Sequence, residues 1–233
     1  MSADIAANIT RVRDRIAAAA ARAGRSDSEV TLVVVTKTRT PDEIIAAYRG
    51  GVRHLGENRV EEAERKLPQL DLPDATWHMI GHLQSRKAAR ALDCFEVVHS
   101  VDSVKLAHKL DRLSAERNQV TPILIEVNVS GETSKYGLAL SDRASLEAAV
   151  AEMVLLPHLS VEGLMTVAFV TSDPEEVRPV FAQLRALRDE FREQYPEGRW
   201  EHLSMGMTDD YEVAVEEGAT MVRVGRAIFG PRE

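Results

Sequence analysis

Only one cysteine, Cys94, stands in the 233-residue chain. An intramolecular disulfide framework and a multi-cysteine metal site are excluded, and a reducing compartment is compatible with such usage. Cys94 itself reads as a small buried apolar residue. Positive charge is also scarce, since 29 Lys and Arg against 37 Asp and Glu leave a formal charge of −8. That balance excludes a broad basic surface for nucleic acid, which neutralises phosphates with clustered cations; a small anion at one focused site stays compatible. No apolar run approaches the roughly 18 residues a membrane span requires. The alanine-rich residues 16–24 follow acidic Asp4 and Asp14 and are interrupted by arginine, unlike a secretory leader. Cytoplasm is the expected location. GxSxG, P-loop and HExxH patterns are missing as well, so serine hydrolase, P-loop NTPase and zincin readings lack support.

What the chain does contain is ordinary core material, with 44% apolar and 28% charged residues. Its length is close to the ~250 residues of a barrel of parallel strands and helices, and no Pro/Gly-rich boundary or low-complexity linker divides it. One domain, residues 1–233, is expected. Ile5, Ile9, Val12 and Ile16 recur at spacings of three and four, with Ser2 or Asp4 to cap and Gly24 to stop, which predicts an amphipathic first helix. From Val30 onward, β-branched runs alternate with helical stretches. Strands are predicted at 31–36, 52–56, 76–81, 95–100, 122–129, 160–167, 200–205 and 221–225, with helices beginning near Pro41, Arg59, Gln84, Ser103, Ser141, Pro174 and Thr208. Such alternation means parallel strands. Eight of them close into a (β/α)8 TIM barrel with the extra N-terminal helix as the eighth outer layer or an end cover; an open doubly wound sheet is the alternative.

In such a barrel the reactive groups stand at the C-terminal ends of the strands. Lys37 ends the first strand, where a solitary ammonium is costly beside a buried apolar run. Glu57 and Asn58 follow the second strand, His82 the third, and Asn128, Ser134 and Lys135 the fifth. Ser204, Gly206 and Met207 follow the seventh, while Arg223, Gly225 and Arg226 end the eighth. Because the eighth strand closes beside the first, Arg223 and Lys37 are expected to share one pocket. Desolvation and a neighbouring guanidinium both penalise a lysine ammonium, leaving the neutral amine that a Schiff base requires. The runs 204–207 and 224–227 offer glycine-loosened backbone N–H groups near helix starts, where phosphate binds in this fold. Arg223 reads either as the partner of a cofactor pyridine nitrogen or as an arginine paired to a barrel carboxylate such as Glu57. His54, His78 and His202, at alternate strand positions without an accompanying carboxylate set, read as locally hydrogen-bonded, and no metal is expected.

The stretches VVVTKT (33–38), HLGENRVEEAERK (54–66), WHMIGHLQSRK (77–87), VNVSGETSKYGL (127–138), VEGLMTV (161–167), LSMGMTDDYEVAV (203–215) and MVRVGRAIFG (221–230) cover most of the chain in order. Together they resemble the YggS/PROSC-type pyridoxal phosphate homeostasis proteins. The resemblance implies a fold-type III barrel, similar to the N-terminal domain of alanine racemase, that binds pyridoxal 5'-phosphate (PLP). It implies Lys37 as the Schiff-base lysine, Asn58 as a pocket residue, Ser204, Gly206 and Gly225 as phosphate ligands and Arg223 as the pyridine-nitrogen partner. Lys135 resembles a family lysine near the site. Arg226 stands where many members carry threonine or serine, so only its backbone N–H or its guanidinium can replace a hydroxyl contact to phosphate; His82 and Tyr136 vary within the family.

Two functions compete. One is a carrier that holds PLP, keeps its free concentration low and supplies PLP-dependent apo-enzymes. The other is an amino-acid racemase or lyase. Racemisation needs a proton donor on each face of the cofactor, and in alanine racemase one comes from a second domain that this chain is too short to contain; an open mouth also favours exchange over a dry reaction site. A monomeric carrier without robust turnover is therefore expected.

Overall fold

The computed structural model describes residues 4–132 and 134–231. Asp4 caps helix α1 (Ile5–Arg22), its carboxylate accepting the Ala7 N–H at 3.0 Å; Ser2, the other expected cap, lies outside the described residues, as does Thr133 of the GETSKYGL stretch. Ile9, Val12 and Ile16 form the buried stripe of α1 as their spacing requires, and Gly24 follows the helix at φ +68°.

All eight expected strands are present: β1 (Thr31–Val35), β2 (His54–Glu57), β3 (Thr76–Met79), β4 (Val97–Val101), β5 (Thr121–Asn128), β7 (Leu159–Met165), β8 (His202–Ser204) and β9 (Met221–Val224). A two-residue strand, β6 (Leu138–Ala139), was not expected; it runs parallel to the end of β5, pairing Val127 with Leu138. The helices are α2 (Pro41–Arg49), α3 (Val60–Lys66), α4 (Ala88–Leu92), α5 (Val104–Glu116), α6 (Arg143–Met153), α7 (Arg178–Gln194), α8 (Tyr211–Glu216) and α9 (Arg226–Phe229). Their starts follow local chemistry: Thr40 and Glu43 form a capping box ahead of Pro41, and Ser103 and Asp142 cap α5 and α6.

Every strand pair is parallel. The order β4-β3-β2-β1-β9-β8-β7-β5 closes through β4 and β5, a closed eight-stranded barrel rather than an open sheet. Helix α9 is too short to cover the seam between β9 and β1. Helix α1 fills that place beside α2, α8 and α9. Asn8 bonds the Ile228 carbonyl at 2.8 Å, and Arg25 takes the carbonyls of Val215 and Ala219 at 2.7 and 3.0 Å.

Alternate strand residues divide between two environments. Val34, Leu55 and Val98 join Ile44, Leu110 and Phe181 in the apolar shell between strands and helices, each contributing about 1.5–3 kcal/mol by leaving water. The other set points inward and is unusually polar: Glu126, His78, His99 and Arg223 are all buried there.

Candidate functional site

Parallel strands deliver their C-terminal ends to one mouth of the barrel. The turn after β1 carries Lys37, half-buried, between Thr36 and Thr38. Thr38 sits at φ 64°, a conformation uncommon for a residue with a β-branched side chain. What holds the turn is an ion cluster centred on Lys66 of α3. Its ammonium spends all three protons, on Thr36 O at 2.7 Å, Glu57 Oε1 at 2.8 Å and Glu62 Oε1 at 2.7 Å. Glu62 Oε1 also accepts the Thr38 N–H at 2.5 Å, and the Thr36 hydroxyl donates to Glu57 Oε1 at 2.7 Å. The backbone on both sides of Lys37 is thus tied to one buried ion cluster. Burial raises the Glu57 carboxyl above its ordinary range, against the pull of Lys66. The alternative that Glu57 pairs with Arg223 is corrected: its cation is Lys66.

Lys37 faces a cavity of about 280 Å³ that it lines with Val35, Arg39, Gly225, Arg226 and Pro231. Arg223 does not line this cavity. It lies deeper, 4% exposed, donating from Nη1 to the Ser204 hydroxyl at 2.6 Å and from Nη2 to the Thr166 carbonyl at 2.9 Å. Among the described residues it has no salt-bridge carboxylate. Burial pushes the guanidinium down to about 10, opposed by the more distant charges of Asp210 and Glu126; it stays a cation at neutral pH. Ser204, expected at a phosphate, turns its hydroxyl into the barrel instead, between Arg223 and His99 Nδ1 at 2.9 Å.

The loop after β8 bends at Gly206, whose φ of +92° suits glycine. A Cβ there would stand 2.5 Å from that of Ala214, and the Gly206 carbonyl accepts the Arg223 N–H at 2.9 Å. Gly225 packs against Val35, where a Cβ would come within 3.1 Å of the Val35 carbonyl. Two bare backbone turns therefore flank Arg223. Arg226 points outward and pairs with Asp209, which joins the two loops at the surface.

After β2, the Asn58 Oδ1 is buried with no hydrogen-bond partner. Its backbone is crossed so closely by Gly81 that a Cβ on Gly81 would lie 2.4 Å from the Asn58 carbonyl. Lys135 lies in the loop before β6, paired with Glu132 and 3.4 Å from the Ser130 hydroxyl. Next to it, Tyr136 stacks on His82 with ring centres 3.7 Å apart, and His82 Nδ1 lies 3.0 Å from Asp102 Oδ2. That contact draws the loop toward the ends of β3 and β4.

Sequence reasoning missed Lys66, Glu126 and Asp102. Glu126 of β5 is buried with Oε2 unpartnered, and burial, then the charge of Asp102, raises its carboxyl to about 7 although Arg223 opposes this. The only signal for Lys66 was its position four residues after Glu62; nothing local marked Glu126. Carboxylates do accompany one histidine: Glu162, Glu201 and His202 bring oxygen and nitrogen atoms within 4.8 Å of one another, though Glu162 already accepts from Ser160 and Arg199. Cys94 is buried, and burial lifts its thiol to about 11.

A closed parallel barrel with a lysine after its first strand and a buried arginine on its last belongs to a recognisable class: residues 5–233 match the family described as alanine racemase, N-terminal domain. Full-length relatives narrow this further. The pyridoxal phosphate homeostasis protein of Aquifex aeolicus is 41% identical over 225 residues, spanning 97% of both chains. That of Escherichia coli K12 is 40% identical over 234 residues, covering 99% of this chain and 97% of its own. PipY of Synechococcus elongatus PCC7942, solved with PLP bound, superposes with a TM-score of 0.86 at 37% identity over 97% of this chain and 100% of its own. An alanine racemase of Clostridium difficile shares the fold alone, at a TM-score of 0.68 and 14% identity over 88% of this chain and 56% of that one. The chain belongs to the family of pyridoxal phosphate homeostasis proteins.

Proposed function

We propose that this chain binds pyridoxal 5'-phosphate as a Schiff base on Lys37 and serves in PLP homeostasis, supplying PLP-dependent apo-enzymes without robust turnover. The observation that carries this reading is identity near 40% along the whole chain with relatives bearing that function as their name. The residues present fit the group. Asn58 Oδ1, buried and unpartnered, is an acceptor awaiting a donor, and an uncompensated buried acceptor costs about 1–3 kcal/mol. Gly206 and Gly225 are bare because Ala214 and Val35 pack against them, and glycine turns of this kind present backbone N–H groups that suit an anion.

In this assignment Lys37 would supply the amine that holds the cofactor through its aldehyde carbon. Gly206, Gly225 and the Arg226 backbone would hold the phosphate, and Arg223 would serve as the partner of the pyridine nitrogen. A permanent cation at that nitrogen keeps it unprotonated and makes the ring a weak electron sink, which suits holding over turnover. Ser204 acts on the site through Arg223, and Lys135 stands at the rim, held by Glu132. Bound PLP supplies an aldehyde for a lysine and a conjugated ring that withdraws electrons. We further propose one barrel domain, monomeric and cytoplasmic; no helix among the described residues is long and apolar enough to cross a membrane.

The test is PLP titration followed by borohydride reduction and peptide mapping. Wild type is expected to show a visible band and one reduced adduct, on Lys37, both lost in Lys37→Ala. Adducts scattered over surface lysines would remove the proposed site. Steady racemisation of alanine by wild type and not by Lys37→Ala would instead favour the enzyme reading.

A further inference from the structure

Across the barrel lumen, starting from Arg223 and Ser204, runs an unbroken series of hydrogen bonds whose three histidines the cofactor assignment does not use. Arg223 Nη1 meets Ser204 Oγ at 2.6 Å, Ser204 Oγ meets His99 Nδ1 at 2.9 Å, His99 Nε2 meets His78 Nδ1 at 2.8 Å, and His78 Nε2 meets His54 Nδ1 at 3.0 Å. Five strands contribute one residue each. The far end, His54, borders a second cavity of about 280 Å³ together with Arg13, Asp27 and Arg53, at the mouth opposite Lys37.

Elementary donor and acceptor counting sets the direction of every proton in this series. A guanidinium only donates, so Ser204 Oγ accepts from Arg223. The Ser204 hydroxyl is fully buried, and a buried donor is expected to be used; the remaining partner in reach is His99 Nδ1. His99 then accepts at Nδ1. Buried within the barrel close to a cation, it stays neutral, in accord with the strong lowering that burial, then His78 and Arg223, impose on it. Its single proton therefore sits on Nε2 and is given to His78 Nδ1. By the same step His78 carries its proton on Nε2 and gives it to His54 Nδ1.

We infer that Ser204, His99, His78 and His54 form one polarised chain, all three imidazoles Nε2–H tautomers, whose negative end faces Arg223 and holds that guanidinium in place. Each member presents a lone pair toward the arginine and a proton away from it. Aligned hydrogen-bonded dipoles polarise one another in a low-dielectric interior, so the chain supplies what a carboxylate would: a negative potential at Arg223 without a second charge. The four residues are positioning residues. They touch no cofactor atom, and their link to PLP rests on the proposed role of Arg223, whereas the chain itself does not.

The experiment is long-range ¹⁵N–¹H correlation on histidine-labelled protein without PLP, with rings assigned through His→Gln variants. In wild type at neutral pH, His54, His78 and His99 are each expected to give the neutral Nε2–H pattern. Ser204→Ala removes the donor to His99, and the tautomer pattern of His54, a ring Ser204 does not touch, is expected to become mixed; Ser204→Thr restores it. An Nδ1–H or doubly protonated His78 or His99 in wild type overturns the inference, as does an unchanged His54 pattern in folded Ser204→Ala. In loaded protein, PLP retention is expected to fall about tenfold in Ser204→Ala, the scale of one hydrogen bond to a charged group, and to recover in Ser204→Thr. Lys37→Ala is expected to lose the adduct while keeping the tautomers, so failure of the PLP reading and failure of the chain give different results.

Discussion

Lys66 Nζ lies 2.8 Å from Glu57 Oε1 in an interior where neither side chain has more than marginal contact with water. Because the same ammonium holds the Thr36 carbonyl at 2.7 Å, this ion pair also braces the turn that presents Lys37. Removing one partner of a buried pair strands the other, at about 3–5 kcal/mol. Lys66→Met is expected to lose that much stability in urea unfolding and to slow PLP uptake, and Glu57→Gln added to it is expected to recover part of the stability. A loss under about 1 kcal/mol for the single variant would mean that the pair contributes no more than a surface bridge.

Asn58 offers an opposite balance. Its buried Oδ1 has no partner without ligand, so Asn58→Ala removes an unsatisfied acceptor. Thermal unfolding without PLP is expected to change little or shift upward, while PLP affinity falls about tenfold, the scale of one hydrogen bond. An unchanged affinity would take Asn58 out of the binding site.

Gly206 combines a φ of +92° with a position where a Cβ would meet Ala214 at 2.5 Å. Gly206→Ala therefore carries both strain and overlap. A stability loss of about 2 kcal/mol or more is expected from these combined, with weaker PLP binding, since the Gly206 carbonyl also accepts the Arg223 N–H at 2.9 Å. A variant with wild-type stability and affinity would show that the loop relaxes freely.

Glu126 predicts a pH dependence of definite sign. Burial, then Asp102, raises its carboxyl from 4.5 to about 7. The folded state thus holds a proton that the unfolded chain releases earlier, so this contribution to stability is full below pH 4.5 and is lost as pH rises through about 7. The difference is at most about 3 kcal/mol. Glu126→Gln is expected to exceed wild type in urea midpoint at pH 8 and to lose that advantage at pH 4.5; equal midpoints at both pH values would mean that the carboxyl ionises freely.

The histidines act from the acid side. His78 is lowered from 6.5 to about 3 by burial and by the charges of His54 and His202. A depressed imidazole contributes stability above pH 6.5 that is lost as pH falls toward 3, about 2 kcal/mol by pH 5. His78→Gln is expected to shrink the wild-type loss between pH 7 and pH 5 by that amount in urea titrations. Equal losses in both proteins would place the acid sensitivity elsewhere.

Local pattern made much of this molecule legible. Short β-branched runs are strand-forming wherever they lie, and spacings of three and four write a buried stripe onto α1, so the eight strands, the order of elements and Lys37 at the end of β1 follow from neighbours in the chain. The barrel, its reactive mouth and a resemblance to PLP-binding relatives were all legible in the order of residues. That order did not determine partners. Glu57 was open to Arg223 until the fold brought Lys66 beneath it, and Ser204 was open to a phosphate until closure aimed its hydroxyl across the lumen at His99, 105 residues away in sequence. Glu126 carried no local mark because only burial gives it an unusual proton affinity. Hydrogen bonds across a barrel depend on which strands face one another and on their stagger. Those are properties of closure, and no local period encodes them.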